Sequence, residues 1–463
     1  MNSCLFKKPI YKPKLSASSS LPVSFPMKKV TPIGPACNET IYEPLLDTES
    51  SVMCFMSEPA VTSISFFEKA HFQNSIEGMK QRIAAICRAN PWLAARLIKD
   101  KKKHQNVLLA IPQTITEEDI EVIFCTEDAS LATISTKMPY STVCKAVIKS
   151  KAMVKPGYSL IGKDVRIAKF TLVPIDHGQV AFVLSITHAV ADGHTYYSIM
   201  NMMTDGNDIK SLSFTRKHEF IPKMKEAIGE EEHQLLYSPA LILNFIPTML
   251  CGPTTHFDAR FVDEEKVRQI KAEAEARSGT GAEDTFACST NDILTSTFAT
   301  AANADILLMA INLRTRLKEA NDNDSGNYES VALYDSSSSS TPEGIRQSLR
   351  GGPPFKRVGG SPLPGFFKLL RIRMAIITNW AFPFFKADLH LLDANCEKTS
   401  AIRLHLPVYD QANLVFPLAI IFRPYHDKLA VLYGGSTRDL SNEKLLASGA
   451  PIGNRVSNDM FTE

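Results

Sequence analysis

Hydrophobic and polar positions fall into short β-like runs separated by stretches of helical spacing. Val61–Phe67 alternates in character and is rich in β-formers, which predicts a strand. Residues 76–87 place Met79, Ile83, Ala84 and Cys87 on one helical face, and Asn90-Pro91 ends that helix. Residues 93–98 and 107–111 read as strands flanking a charged hairpin tip, Lys99 to His104. Residues 165–173 and 180–186 are largely apolar, which predicts paired central strands turned at Ile175-Asp176-His177-Gly178. Beyond His194 the spacing becomes helical, with Tyr197, Met200, Asn201 and Met203 in step.

A polar stretch, 217–232, leads into the apolar run 238–253. That run is interrupted by Pro239 and Pro247 and is too short to span a bilayer, so it is expected to pack between two lobes, the alternative being contact with a membrane surface or a lipid-like substrate. Asp263-Glu264-Glu265 opens a helix, and Ser289 or Thr290 caps another that buries Ile293, Leu294 and Phe298. Residues 305–313 form a strand ending in Arg314-Thr315-Arg316, whose two arginines would share a strand face. Residues 336–340 and 351–364 read as loops, 417–423 and 429–433 as a hairpin, and 441–447 as a capped helix.

The chemistry concentrates where the strand 180–186 meets the following helix. His188-Ala189-Val190-Ala191-Asp192-Gly193 puts a histidine at a strand end, then a turn, then a glycine that opens a helix. A strand end fixes an imidazole at the edge of the core, and the small residues leave room for a substrate. Asp192 can orient the turn, by bonding its backbone or by pairing with a cation from elsewhere. Of the eleven histidines, His188 alone is followed by Asp four residues on.

These residues resemble the HxxxDG motif of the CoA-dependent acyltransferase superfamily, which includes chloramphenicol acetyltransferase, the condensation domains and the BAHD enzymes. Asn90-Pro91-Trp92-Leu93-Ala94-Ala95-Arg96-Leu97, Ser289 to Leu294, Ile311 to Leu317 and Gly326-Asn327-Tyr328 resemble other family segments, in the family's order. The resemblance spans roughly residues 40–455. It implies an α/β fold of two chloramphenicol acetyltransferase-like lobes, each a mixed sheet covered by helices, with the active site at their junction and reached by a tunnel from both faces. His188 would be the general base, with Gly193 beside it and Asp192 structural, paired with Arg314 or, failing that, Arg316. Two departures stand out. Ala94 occupies the place of a condensation-domain arginine, and nothing reproduces the BAHD Asp-Phe-Gly-Trp-Gly motif, whose nearest counterpart in order is 396–407.

Composition narrows the function classes. The elements divide the chain into an arm (1–36), a first lobe (37–210) carrying the motif, a crossover connection (211–262) and a second lobe (263–463). The arm holds six Lys, six Ser, six Pro and no acid, which suits a disordered tail and permits organelle targeting. A net charge of +2 gives no case for nucleic acid. Nine cysteines without a CxxC pair indicate reduced thiols in a cytoplasmic setting and no metal site. The expected partners are acyl-CoA, as substrate rather than tightly bound cofactor, and a small-molecule acceptor, handled by a monomer without a transmembrane segment. Lys356-Arg357, beside Gly359-Gly360, are candidates for the CoA phosphates. A condensation-like enzyme using a carrier-bound donor, and a non-catalytic binding member of the same fold, are the alternatives.

Overall fold

The computed structural model describes residues 40–461 except 53, 101–106, 127–130, 132, 176–178, 278–286, 356–361, 382–388, 400–401, 410–413 and 437. The arm and the Lys356-Arg357 pair therefore lie outside the described residues, as do most of the charged hairpin tip and the turn at 176–178.

Two sheets carry the fold. The first runs Ile402–Pro407, Val61–Phe67, Gln179–Ile186, Ala168–Ile175, Phe124–Cys125, with all but the last pairing antiparallel. The second has seven strands in the order Glu329–Asp335, Ile306–Asn312, Met374–Asn379, Leu418–Tyr425, Lys428–Gly435, His256–Val262, Ile452–Arg455. Met374–Asn379 pairs parallel with both of its neighbours, so this sheet is mixed. Helices cover both sheets, and three short strands, including the Arg96–Lys99 and Val107–Pro112 hairpin, form a third.

Sheet membership does not follow chain order. The Ile402–Pro407 strand leaves the second half of the chain to join the first sheet beside Val61–Phe67. His256–Val262, in the stretch read as a connection, is a strand of the second sheet. Pairing of both kinds is long-range, and local hydrophobic spacing carries no record of the partner.

Val61–Phe67 is buried at every position, not on one face. Its polar positions find partners inside: Thr62 with Ser185 (2.8 Å), Ser63 with the Tyr196 hydroxyl (2.6 Å) and Ser65 with His405 Nδ1 (2.8 Å). The second nitrogen of His405 meets the Tyr197 hydroxyl at 3.0 Å, and burial pushes the imidazole down to about 3, so it is neutral in the fold. These bonds tie the incoming strand to the helix that follows the HxxxDG turn.

Helix Phe72–Ala89 buries Met79, Ile83, Ile86 and Cys87 and stops at Asn90, as the proline after it requires. Helix Pro239–Cys251 corrects the expectation for the apolar run. Its buried residues Ala240 and Leu241 join Ile306, Leu308, Leu333 and Met374 of the second sheet, and Leu243, Ile246 and Leu250 stay exposed. Among the described residues no helix is long and apolar enough to cross a membrane.

Candidate active site

The strand Gln179–Ile186 delivers the chain to a tight turn. Thr187 N–H donates to Ile167 O and Val190 N–H to Thr187 O, and Asp192 then caps helix Gly193–Met202. Asp192 Oδ1 accepts from Thr195 N–H at 2.9 Å. Its other oxygen accepts from Arg314 Nη1 at 2.6 Å and from Tyr328 N–H at 3.1 Å. Both of the openings left by the sequence are thus used, the backbone and the cation.

Arg314 is fully buried. Its Nη2 donates to Thr195 Oγ1 (3.0 Å) and Gly326 O (2.9 Å), and its Nε donates to Asp324 O (3.0 Å). The guanidinium also lies over the Tyr328 ring, 5.1 Å from its centroid. Burial alone would raise the Asp192 carboxyl, but the guanidinium outweighs it and holds the group below the usual carboxylate range. Arg316 is placed elsewhere, 5.7 Å over the Phe355 ring. The strand stops at Asn312, and Thr315 has φ 63°, so the two arginines sit on a turn and share no strand face.

His188 keeps 21% of its side chain exposed. Asn327 clamps it, donating from Nδ2 to the His188 carbonyl at 2.8 Å and facing Nδ1 with Oδ1 at 3.1 Å. Because the amide nitrogen is committed to a carbonyl, the amide oxygen is the group at Nδ1, and Nδ1 carries the proton. That leaves the Nε2 lone pair for chemistry. Phe55 stacks on the imidazole with centroids 5.0 Å apart. Asn327 is itself held by Glu49 Oε1, through its backbone N–H (2.9 Å) and its amide (3.2 Å), and Arg216 Nε holds Glu49 Oε2 at 2.7 Å. Gly326 has φ +135°, and a Cβ there would stand 3.1 Å from the Arg216 guanidinium carbon, so glycine is required on both counts.

One residue at the site had no role in the sequence reading. Glu329 Oε1 faces His188 Nε2 at 3.7 Å. Burial, and next the Asp192 charge, push its carboxyl up to about 7, with His188 pulling the other way. His194 is a second addition. Its Nε2 lies 3.2 Å from the Asp322 carbonyl, and burial lowers its pKa.

A small cleft of about 40 Å³ lies here between the start of helix Gly193–Met202 and the second sheet, lined among others by Gly193, His194, Asn312, Glu329, Asn379 and Trp380. Gly193 faces the Trp380 indole, whereas Ala189 and Ala191 are buried in the core. Two larger hollows, of about 660 and 550 Å³, lie around Phe261 and Asn454 at the far edge of the second sheet. The cleft, not these, is where the candidate chemistry sits.

No protein-family model and no curated protein matches the sequence. Solved structures do match the fold. TRI101 of F. sporotrichioides, complexed with coenzyme A and T-2, superposes with a TM-score of 0.56 over 88% of this chain and 97% of its own, at 11% identity. Vinorine synthase gives 0.53 over 90% and 96%, at 12% identity. The chain has the CoA-acyltransferase-like fold. Polyketide synthase associated protein 5 from Mycobacterium tuberculosis is a further neighbour, with a TM-score of 0.50 over 88% and 95% of the chains at 13% identity. Within this acyltransferase-like fold the described residues bring His188, Asp192, Gly193 and Arg314 into one neighbourhood and leave Arg316 outside it.

Proposed function

We propose that the protein transfers an acyl group from acyl-CoA to a hydroxyl or amine of a small-molecule acceptor, with His188 as general base and no covalent enzyme intermediate. The observation that carries this reading is the state of His188. Asn327 fixes the tautomer, and Nε2 faces Glu329, which lines the small cleft at the helix start, in a fold shared with a protein crystallised with coenzyme A and T-2.

In the proposed reaction the acceptor's O–H or N–H gives its proton to Nε2 while the heteroatom forms a bond to the thioester carbon. Holding both substrates turns a bimolecular encounter into a positioned one. The tetrahedral oxyanion needs donors, and the backbone N–H groups of Gly193 and its neighbour, at the helix start, are the candidates. Collapse breaks the C–S bond, and the imidazolium returns the proton to the departing thiolate. Glu329 faces the protonated Nε2 and stabilises the imidazolium while the proton resides there. Asp192 and Arg314 hold the turn, and Lys356 with Arg357 are assigned to the donor's phosphates.

The test is acceptor-dependent thiol release from a panel of acyl-CoA thioesters, offered with alcohol and amine acceptors. Release with at least one pair, lost in His188→Ala, supports the reading. Release only from carrier-protein thioesters would replace the donor, and no release from either would replace catalysis with binding.

A further inference from the structure

Helix Pro239–Cys251 lacks the polar outer face that a surface helix normally shows. Residues 233–257 contain no Asp, Glu, Lys or Arg. One side of the helix is packed: Ala240 and Leu241 join the sheet, and Phe245 meets Phe416 with ring centroids 5.4 Å apart. On the other side Leu243 is 48%, Ile246 40% and Leu250 77% exposed. The short helix Phe366–Leu369 packs alongside, and Asn244 Nδ2 donates to the Ile372 carbonyl at 2.9 Å. It adds Phe366, 50% exposed, and Phe367, 82% exposed, to the same surface.

The charged side chains that the short helix and the residues after it bring to this surface are basic. Residues 366–373 carry Lys368, Arg371 and Arg373 and no acid, in a chain whose net charge is only +2. Arg373 is occupied by Asp305, at 2.9 Å. Lys368 follows directly on the two phenylalanines, Arg371 comes three residues later, and both are exposed.

We propose that this face docks the protein on the surface of an anionic lipid bilayer. Phe366, Phe367 and the exposed leucines enter the boundary between headgroups and acyl chains, and Lys368 and Arg371 meet the lipid phosphates. The helix has 13 residues. At about 1.5 Å of rise per residue it falls well short of the ~30 Å hydrocarbon core, so it lies on the membrane and does not span it. A bilayer accepts protruding apolar tips without asking for hydrogen-bond partners, and the exposed tips here offer none. A second copy seated symmetrically on the same face would bring the exposed Lys368 and Arg371 of both copies to one interface. The anionic surface is complementary where the copy is repulsive.

Vesicle co-sedimentation tests this with the full chain, comparing phosphatidylcholine alone with phosphatidylcholine containing phosphatidylserine. Binding should favour the anionic vesicles by about tenfold or more, given two basic side chains at the surface, and should weaken as salt screens them. Lys368→Glu with Arg371→Glu should remove that preference, and Leu250→Asp with Phe367→Asp should abolish binding. Phe367→Trp keeps the face apolar, and its added emission should shift to the blue on anionic vesicles, a readout that stands if the aspartate variant fails to fold. A wild-type protein that sediments with neither vesicle overturns the proposal. So does an unchanged Phe367→Trp emission, or a dimer in sedimentation velocity that Leu250→Asp dissolves.

Discussion

Asp192 and Arg314 stand 122 residues apart in the chain, yet Arg314 Nη1 donates to Asp192 Oδ2 at 2.6 Å with both side chains out of solvent. One residue caps the helix beginning at Gly193. The other follows the Ile306–Asn312 strand of the second sheet, so a single ion pair joins the HxxxDG turn to the other half of the fold. Removing either partner leaves a buried charge uncompensated. Arg314→Ala should therefore cost about 3–5 kcal/mol of stability, read as a lower denaturant midpoint. Arg314→Lys should recover only part of it, because an ammonium cannot reproduce the fork that also reaches Thr195, Gly326 and Asp324. Equal stability of wild type and Arg314→Ala would show that the pair does not hold the lobes.

His188→Ala should leave the fold unchanged and lower acyl transfer by about 10²–10⁴-fold, the range for loss of a positioned base. The side chain is partly exposed and its main bond is to Asn327, so little packing is lost. Asn327→Ala should slow transfer as well, by freeing the tautomer and the ring orientation. Turnover near wild type in a folded His188→Ala protein would remove His188 from the mechanism.

Glu329 gives the reaction a pH limb. Its carboxyl is pushed up to about 7, so it loses its charge as pH falls through that value and can no longer stabilise the imidazolium. Transfer should then rise with pH around 7 in the wild type. Glu329→Gln should be slower above that pH and should lose the limb that Glu329 contributes. A Glu329→Gln protein with the rate and pH profile of the wild type would separate Glu329 from the base.

His405 should make the fold sensitive to acid. Its folded pKa of about 3 lies below the unfolded value near 6.5, so the unfolded chain binds the proton first. Stability is fully present above about pH 6.5 and is lost as pH falls towards 3, by roughly 1.4 kcal/mol per pH unit for this group alone. His405→Gln, which keeps the ability to bond Ser65 and Tyr197, should flatten that slope in urea melts between pH 4 and 7. An unchanged slope would place the acid sensitivity elsewhere.

The sequence by itself determined the local elements and the chemistry they present. Apolar runs without a polar face, such as 180–186, specify central strands. The proline after Asn90 stops a helix wherever that helix is packed, and an aspartate followed by glycine caps one. His188 at a strand end and Asp192 as an N-cap are legible because each depends on a few neighbouring residues. Glu329 carried no such local signal, because its contact with His188 is made across 141 positions of chain.

What only the tertiary structure decided is which distant segments meet. Ile402–Pro407 joins the first sheet and His256–Val262 the second because strand pairing is settled by how the two cores close, a long-range contest invisible in hydrophobic period. Arg314 prevailed over Arg316 because Thr315 takes a left-handed conformation and turns the second arginine onto Phe355. The apolar helix Pro239–Cys251 kept an exposed side because the second sheet offers it only one face to cover. In each case the residues were readable, but their partners were set by burial competing across more than a hundred positions of chain or across an entire sheet.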